Sequence, residues 1–186
     1  MIENERKYII DISYKDALTA CNNYIGVVYD IQQAYVKDGR IRKIQKIRPD
    51  FDRPEYIFTW KVRRSDWSMI EIETPISQRD FQELWNMAKI TILKRRIKIF
   101  YCGVTWDIDF LEKYDISKET GGMHYLTIAE AEMPEGWDEP TELPDFVKDN
   151  LLWLVPRDKD KDWSNKNLSN PVKVKQMLAN VLANKE

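Results

Sequence analysis

Seven stretches of this sequence carry polar or charged side chains at every second position. In chain order they are Glu3, Glu5 and Lys7; Arg40 and Arg42; Thr59 and Lys61; Glu71 and Glu73; Lys94, Arg96 and Lys98; Asp107 and Asp109; and Glu130 and Glu132. A two-residue period puts such side chains on one face of a strand. The signs are grouped by stretch rather than interspersed. Arginine and lysine bind phosphate oxygens, arginine through two parallel hydrogen bonds. Grouped carboxylates repel one another unless a cation sits between them, and hard oxygen donors suit Mg2+ or Mn2+. Bases beside metal-holding carboxylates are the two halves of a site for a polyanionic phosphate. Phosphoryl transfer asks little more of a protein than positioning and charge stabilisation.

The same stretches carry apolar residues on their other face. These are Phe58, Trp60 and Val62; Ile70 and Ile72; Ile97 and Ile99; Trp106, Ile108 and Phe110; Ala129, Ala131 and Met133. Two readings of the charged face stay open. Antiparallel sheets commonly have one wet face. Alternatively, a sheet closed on itself with its apolar side outward would enclose the charges as a channel.

The elements that would position these residues are legible in outline. Strands are predicted over 1–12, 26–36, 40–48, 56–64, 68–74, 92–101, 104–110 and 124–133, and a short helix over 14–23. Pro49 and Pro54 mark a loop. Ser77 and Asp80 match the S-x-x-D capping pattern, followed by Phe81, Leu84, Trp85 and Ala88 at helical spacing. A short helix is expected near 144–152, and RDKDKD at 157–162 reads as a solvated loop. Asn170 and Pro171 open a last helix, with Val174, Met177, Leu178, Val181 and Leu182 on its apolar side. Strands that follow one another closely favour an α+β class, an antiparallel sheet or barrel with helices packed outside.

Composition narrows the classes further. The 186 residues suit one domain spanning 1–186, with a core over about 1–168 and a C-terminal helix over about 170–184. Twenty-nine basic and 31 acidic residues leave a net charge of −2, so duplex nucleic acid is not expected as a partner. No apolar run approaches the ~20 residues of a membrane helix. The start, MIENERKYII, lacks the apolar stretch of a secretory signal. Two distant cysteines, Cys21 and Cys102, argue against a disulfide framework and for a cytoplasmic setting. His124 is the only histidine and reads as a surface residue, which argues against Ser–His catalysis. The seven tryptophans read as packing, with Trp67 and Trp137 in loops where they could line a channel mouth. A homodimer through the C-terminal helix is left open.

In order along the chain, these stretches resemble the CYTH superfamily, the triphosphate tunnel metalloenzymes. Glu3, Glu5 and Lys7 resemble its E-x-E-x-K signature, RIR at 40–42 its paired-arginine strand, and TWK at 59–61 its T-x-K strand. EIE at 71–73 resembles E-x-E, KRR at 94–96 K-x-R, WDID at 106–109 W-E-x-D, and AEAE at 129–132 A-E-x-E. WSNKNL at 163–168 resembles the aromatic, Asn-bearing segment near the family's end, so the match covers roughly 1–168. Met69 stands where the family has an arginine, with Arg63 and Arg64 nearby, and Asp107 replaces the more usual glutamate.

The resemblance implies an eight-stranded antiparallel closed β-barrel, a triphosphate tunnel with helices packed outside. It implies metal-dependent hydrolysis of a triphosphate: inorganic triphosphate first, with thiamine or nucleoside triphosphate as alternatives. A class IV-type adenylyl cyclase, making cyclic AMP and pyrophosphate from ATP, and a non-catalytic polyphosphate-binding module are the rival readings. The implied cofactor is Mg2+ or Mn2+. By the same resemblance, Glu3, Glu5, Lys7, Glu71 and Glu73 are catalytic. Lys7, Arg40, Arg42, Lys61, Lys94 and Arg96 would hold phosphates. Glu3, Glu5, Asp109, Glu130 and Glu132 would hold metal.

Overall fold

The computed structural model describes residues 4–24, 26–37, 39–63, 69–113 and 123–183, without the side chains of 23, 61–63 and 69. Nine strands form one antiparallel sheet. They are β1 (Glu5–Ile10), β2 (Val27–Val36), β3 (Gly39–Arg48), β4 (Glu55–Arg63), β5 (Met69–Pro75), β6 (Ile90–Tyr101), β7 (Val104–Lys113), β8 (Met123–Glu132) and β9 (Leu151–Leu154). Their order across the sheet is β5-β4-β3-β2-β6-β7-β8-β1-β9. Five helices accompany them among the described residues: α1 (Tyr14–Ala20), α2 (Gln78–Met87), α3 (Asp145–Asp149), α4 (Asn165–Leu168) and α5 (Pro171–Ala183).

The expected closed eight-stranded barrel is not formed. Closure would need β5 to pair with β1, but the second edge of β1 is taken by β9. Residues 144–152, expected to be one helix, divide into α3 and the start of β9. LLWL has the apolar character of a strand, and it supplies the partner that leaves β5 and β9 as the sheet's two open edges. The α+β class stands; the barrel does not.

Alternation decides which side chains share a face. Facing partners Lys7↔Glu130, Glu130↔Asp107 and Asp107↔Lys98 form one row across four strands. Arg40↔Thr59 and Thr59↔Glu73 form another across three. The other face builds a core from Tyr8, Ile97, Ile99, Trp106, Ile108, Phe110, Ala129 and Ala131, covered by Ala17 of α1 and by Phe146 and Val147 of α3. Near β2 and β3, Phe81 of α2 packs on Ala34 and Ile41. Ser77 caps α2, accepting from the Asp80 amide at 3.0 Å.

The charged face is charged along only part of its length. Further along the same strands it becomes Ile9, Ile92, Leu111, Leu126 and Ile128, sealed by Trp163, Leu168 of α4 and Val174 of α5. The C-terminal helix therefore packs on the charged side of the sheet, not outside it. Asn170 caps that helix, accepting from the amides of Val172 and Lys173 at 3.1 and 3.2 Å.

Two turns fix the register of the bases. Cys102 and Gly103 have φ of 48° and 79°, the left-handed pair of a tight two-residue hairpin, and set Lys94, Arg96 and Lys98 against β7. Gly39 opens β3 where a Cβ would lie 2.5 Å from the Thr59 carbonyl oxygen. Only glycine lets β3 start this close to β4, and Arg40 follows immediately.

Candidate active site

The charged face lines a cavity of about 1010 Å3. Nine basic and six acidic side chains contribute to it among the described residues, so its lining favours an anion. Lys7, Arg40, Arg42, Lys94 and Arg96 all reach it, as do Glu5, Glu71, Glu73, Glu130 and Glu132. Glu3 lies outside the described residues, as do the side chain of Lys61, both side chains at 63 and 64, and Trp67. Asp109 lies beneath the cavity floor, fully buried.

The bases on β6 stand on that buried floor. Asp109 accepts from Arg96 Nε at 2.6 Å and from Arg96 Nη2 at 2.7 Å, and Lys94 also donates to it. Burial alone would raise the Asp109 carboxyl, but Arg96 and Lys94 outweigh it and hold it down at about 2. Arg96 also donates to Asp107 and has Glu130 at 3.5 Å. Burial opposes its charge too, yet Asp109 and Asp107 hold its guanidinium well above the ordinary value. Both oxygens of Asp109 are thus committed to bases.

Across the sheet the arrangement is looser. Arg40 donates to Glu71 at 2.8 Å; Arg42 donates to Glu73, and so does Thr59 at 3.1 Å. Burial, and then Arg40 beside it, push Arg42 down to about 10. The Nε groups of Arg40 and Arg42 are both buried without a hydrogen-bond acceptor. Two guanidiniums side by side with leftover donors make a site short of an anion.

Carboxylates crowd at the β1–β8 end. Burial, then Glu5 and Asp109, push Glu130 up to about 8. Burial and Asp107 also raise Glu132. Among the described residues no three His, Cys, Asp or Glu side chains are grouped closely enough to hold an ion. The donor chemistry nonetheless suits a hard dication. Glu5, Glu130 and Glu132 offer only carboxylate oxygens to one cavity, and a cation beside Glu130 would offset the burial and the Glu5 charge that push its carboxyl up.

Several lining residues escaped the sequence reading. Asp160, from the stretch read as a solvated loop, reaches Lys7 Nζ at 2.6 Å, and Glu5 holds the same ammonium. Burial works against that charge, but Glu5, Glu130 and Asp160 hold Lys7 above its ordinary value. Lys161 lines the cavity from the same stretch; Ser164, Asn165 and Lys166 line it from WSNKNL, a segment the resemblance singles out without giving these residues a role. Gln33 and Tyr35 line it from β2, with Gln33 Nε2 donating to the Tyr35 hydroxyl at 2.7 Å. Their signal was positional: Gln33 and Tyr35 keep the alternation of Ile31, but as neutral side chains they do not stand out beside charges. Lys98, picked out by the same alternation as Lys94 and Arg96 but given no role by the resemblance, lines the cavity as well. Trp137 packs against the core on the other face, and His124 is exposed, its Nε2 2.9 Å from Thr127 Oγ1. No helix among the described residues is long and apolar enough to cross a membrane.

No protein-family model matches the chain. No curated protein matches it either. Solved structures similar to it include a putative adenylate cyclase from Bacillus halodurans, at 12% identity, with 88% of this chain and 98% of that one covered and a TM-score of 0.45. A conserved hypothetical protein from Pyrococcus furiosus is similar at 16% identity, over 78% and 87% of the two chains, with a TM-score of 0.41. A chain of the Schizosaccharomyces pombe Mediator head module is similar at 10% identity, over 81% and 90%, with a TM-score of 0.48. These likenesses are of structure alone, at low identity, and nothing about activity follows from them.

Proposed function

We propose that the cavity binds a triphosphate and that the chain hydrolyses its terminal phosphoanhydride with the help of a divalent cation. One observation carries this reading: bases from β1, β3 and β6 and carboxylates from β1, β5 and β8 converge on one cavity. The resemblance of the E-x-E-x-K start and the triplets after it to the CYTH superfamily supports the same reading.

In this reading Arg40 and Arg42 take phosphate oxygens through the donors they have spare. Lys7, Lys94 and Arg96 hold the remaining oxygens, with Asp109 fixing the last two from below. Glu71 and Glu73 hold the two arginines in place and orient the attacking water. Glu5, Glu130 and Glu132, with Glu3, would hold Mg2+ or Mn2+. When bound, such a cation neutralises charge on phosphate oxygens and helps align water.

A specific observation favours an esterified triphosphate over the inorganic one. Asn165 Oδ1 is buried without a hydrogen-bond partner, and the Ser164 hydroxyl makes no capping bond. Both line the cavity, as does Tyr35, a neutral phenol that burial pushes further up, to about 12. Neutral groups of this kind match an organic substituent better than a phosphate.

The test is product analysis with inorganic triphosphate and ATP in parallel, each with Mg2+ and with Mn2+. Orthophosphate from either is the expected result. Cyclic AMP with pyrophosphate from ATP would replace hydrolysis by cyclisation. Tight binding of both without any product would leave a binding module.

A further inference from the structure

Beside the main cavity lies a smaller one of about 200 Å3, lined by Glu5, Arg6, Lys7, Val155, Arg157 and Asp160. The two cavities share Glu5, Lys7 and Asp160, so the Lys7–Asp160 ion pair stands between them. Arg6 is 6% exposed. Its Nη2 meets Glu139 Oε1 at 2.8 Å and its Nη1 donates to the Val155 carbonyl at 3.3 Å. Its Nε is buried with no acceptor. Arg157 donates to the Asp138 carbonyl at 2.6 Å and forms no ion pair among the described residues.

The side cavity therefore holds a buried guanidinium with a donor to spare and a second guanidinium with no counter-charge. Its two acidic residues, Glu5 and Asp160, both pair with Lys7 and neither pairs with an arginine among the described residues. Ligand pockets for drug-sized molecules run from about 300 to 1000 Å3, so this one suits a single small group. A tetrahedral oxyanion supplies the acceptor that Arg6 Nε lacks and the counter-charge that Arg157 lacks.

We propose that this side cavity is a binding site for one phosphate-type oxyanion, seated between Arg6 Nε and the Arg157 guanidinium. The site stands on its own geometry. Naming orthophosphate as its natural occupant rests on the proposed hydrolysis, which releases that ion on the other side of the Lys7–Asp160 pair.

The experiment is a titration of the full chain with orthophosphate, followed by calorimetry, alone and with the main cavity saturated by non-hydrolysable imidotriphosphate. Orthophosphate should bind in both cases. Arg157→Gln, at an exposed position, should weaken it by about tenfold or more, the size of a lost charge-assisted contact. Imidotriphosphate affinity should not change. Arg6→Lys, which keeps the charge and loses the fork, should weaken orthophosphate too; if that variant does not fold, Arg157→Gln decides alone. The proposal is overturned if orthophosphate does not bind, if imidotriphosphate displaces it, or if Arg157→Gln leaves it unchanged. Should imidotriphosphate itself fail to bind, the hydrolase reading falls, while orthophosphate with and without Arg157 still decides this site.

Discussion

The two halves of the charged face use the same alternation to opposite ends. On β6 and β7, the Lys94 side chain is 3% exposed and Asp109 is 0% exposed. On β3 and β5, the Arg40 and Glu71 side chains are each 16% exposed, and Glu73 is 43% exposed. Arg96 faces three carboxylates, Asp107, Asp109 and Glu130, and its charge is held above the ordinary value. Arg42 pairs with one carboxylate and is pushed down to about 10. The first half is saturated; the second is short of an anion. Packing explains the contrast. The β6–β8 charges rest against a sealed apolar cluster on the same face, while β4 and β5 lie at an open edge where Trp60, Ile70 and Ile72 stay exposed. The fully paired bases are held in place before any ligand arrives, and the under-neutralised ones have donors left over for it.

The largest expected effect separates the halves by stability. Asp109→Ala leaves Lys94 as a buried cation without its ion pair and takes from Arg96 one of its three carboxylates, and should destabilise the fold by about 3–5 kcal/mol in urea unfolding. Arg42→Ala should shift stability by about 1 kcal/mol or less, as expected for a partly exposed pair. Equal losses would erase the distinction. Acid extends the test. The Asp109 carboxyl sits near 2 in the folded chain, below its unfolded value, so its stabilisation is present above the unfolded pKa and is lost as pH falls through about 4 towards 2. Asp109→Asn should flatten the acid limb over that window, and a limb unchanged in slope would remove Asp109 from the account.

Glu130→Gln comes next, and it acts on turnover. The Glu130 carboxyl is already pushed towards its neutral form by burial and by Glu5 and Asp109, so a neutral amide of the same shape should leave the fold intact. If Glu130 holds the cation, metal-dependent hydrolysis should fall by about 100-fold or more, since even outer-shell partners of a metal are worth 10- to 100-fold. Unchanged turnover would sink the metal assignment.

The division between these halves was only partly legible in the sequence. The two-residue period picks out Glu5, Lys7, Arg40, Arg42, Glu71, Glu73, Lys94, Arg96, Glu130 and Glu132, and all ten line one cavity. Periodicity reports faces, because it is local. It does not report what covers a face or which strand meets which edge. Ile9, Ile92 and Ile128 keep the parity of the charged residues yet lie under Trp163 and Val174. LLWL at 151–154 is too short to show alternation, and its pairing with β1 is what leaves the sheet open. Asp160 sits in a segment with no period at all, so only the return of the chain to Lys7 gives it a place.

Arg42→Ala tests the open half by affinity. A charge-assisted contact contributes about 1.5–3 kcal/mol, so triphosphate binding should weaken by roughly 10- to 100-fold in calorimetry. An affinity that does not move would mean that the leftover donors on β3 face no phosphate.

The smallest effect has the opposite sign. Asp160 holds the ammonium of Lys7 at 2.6 Å, in the place a phosphate oxygen would take, and its side chain is 45% exposed. Asp160→Asn removes that competing charge and leaves Glu5 as the partner of Lys7. Triphosphate should then bind a few-fold more tightly, no more than the ~0.2–1 kcal/mol that a solvent-screened pair is worth. The gain should shrink as salt is added, because an exposed carboxylate is screened within about 10 Å at 0.1 M ionic strength. Weaker binding would reverse the interpretation. Asp160 would then be a positioning residue that aims Lys7 into the cavity, and Lys7 would join Lys94 and Arg96 on the saturated side of the comparison.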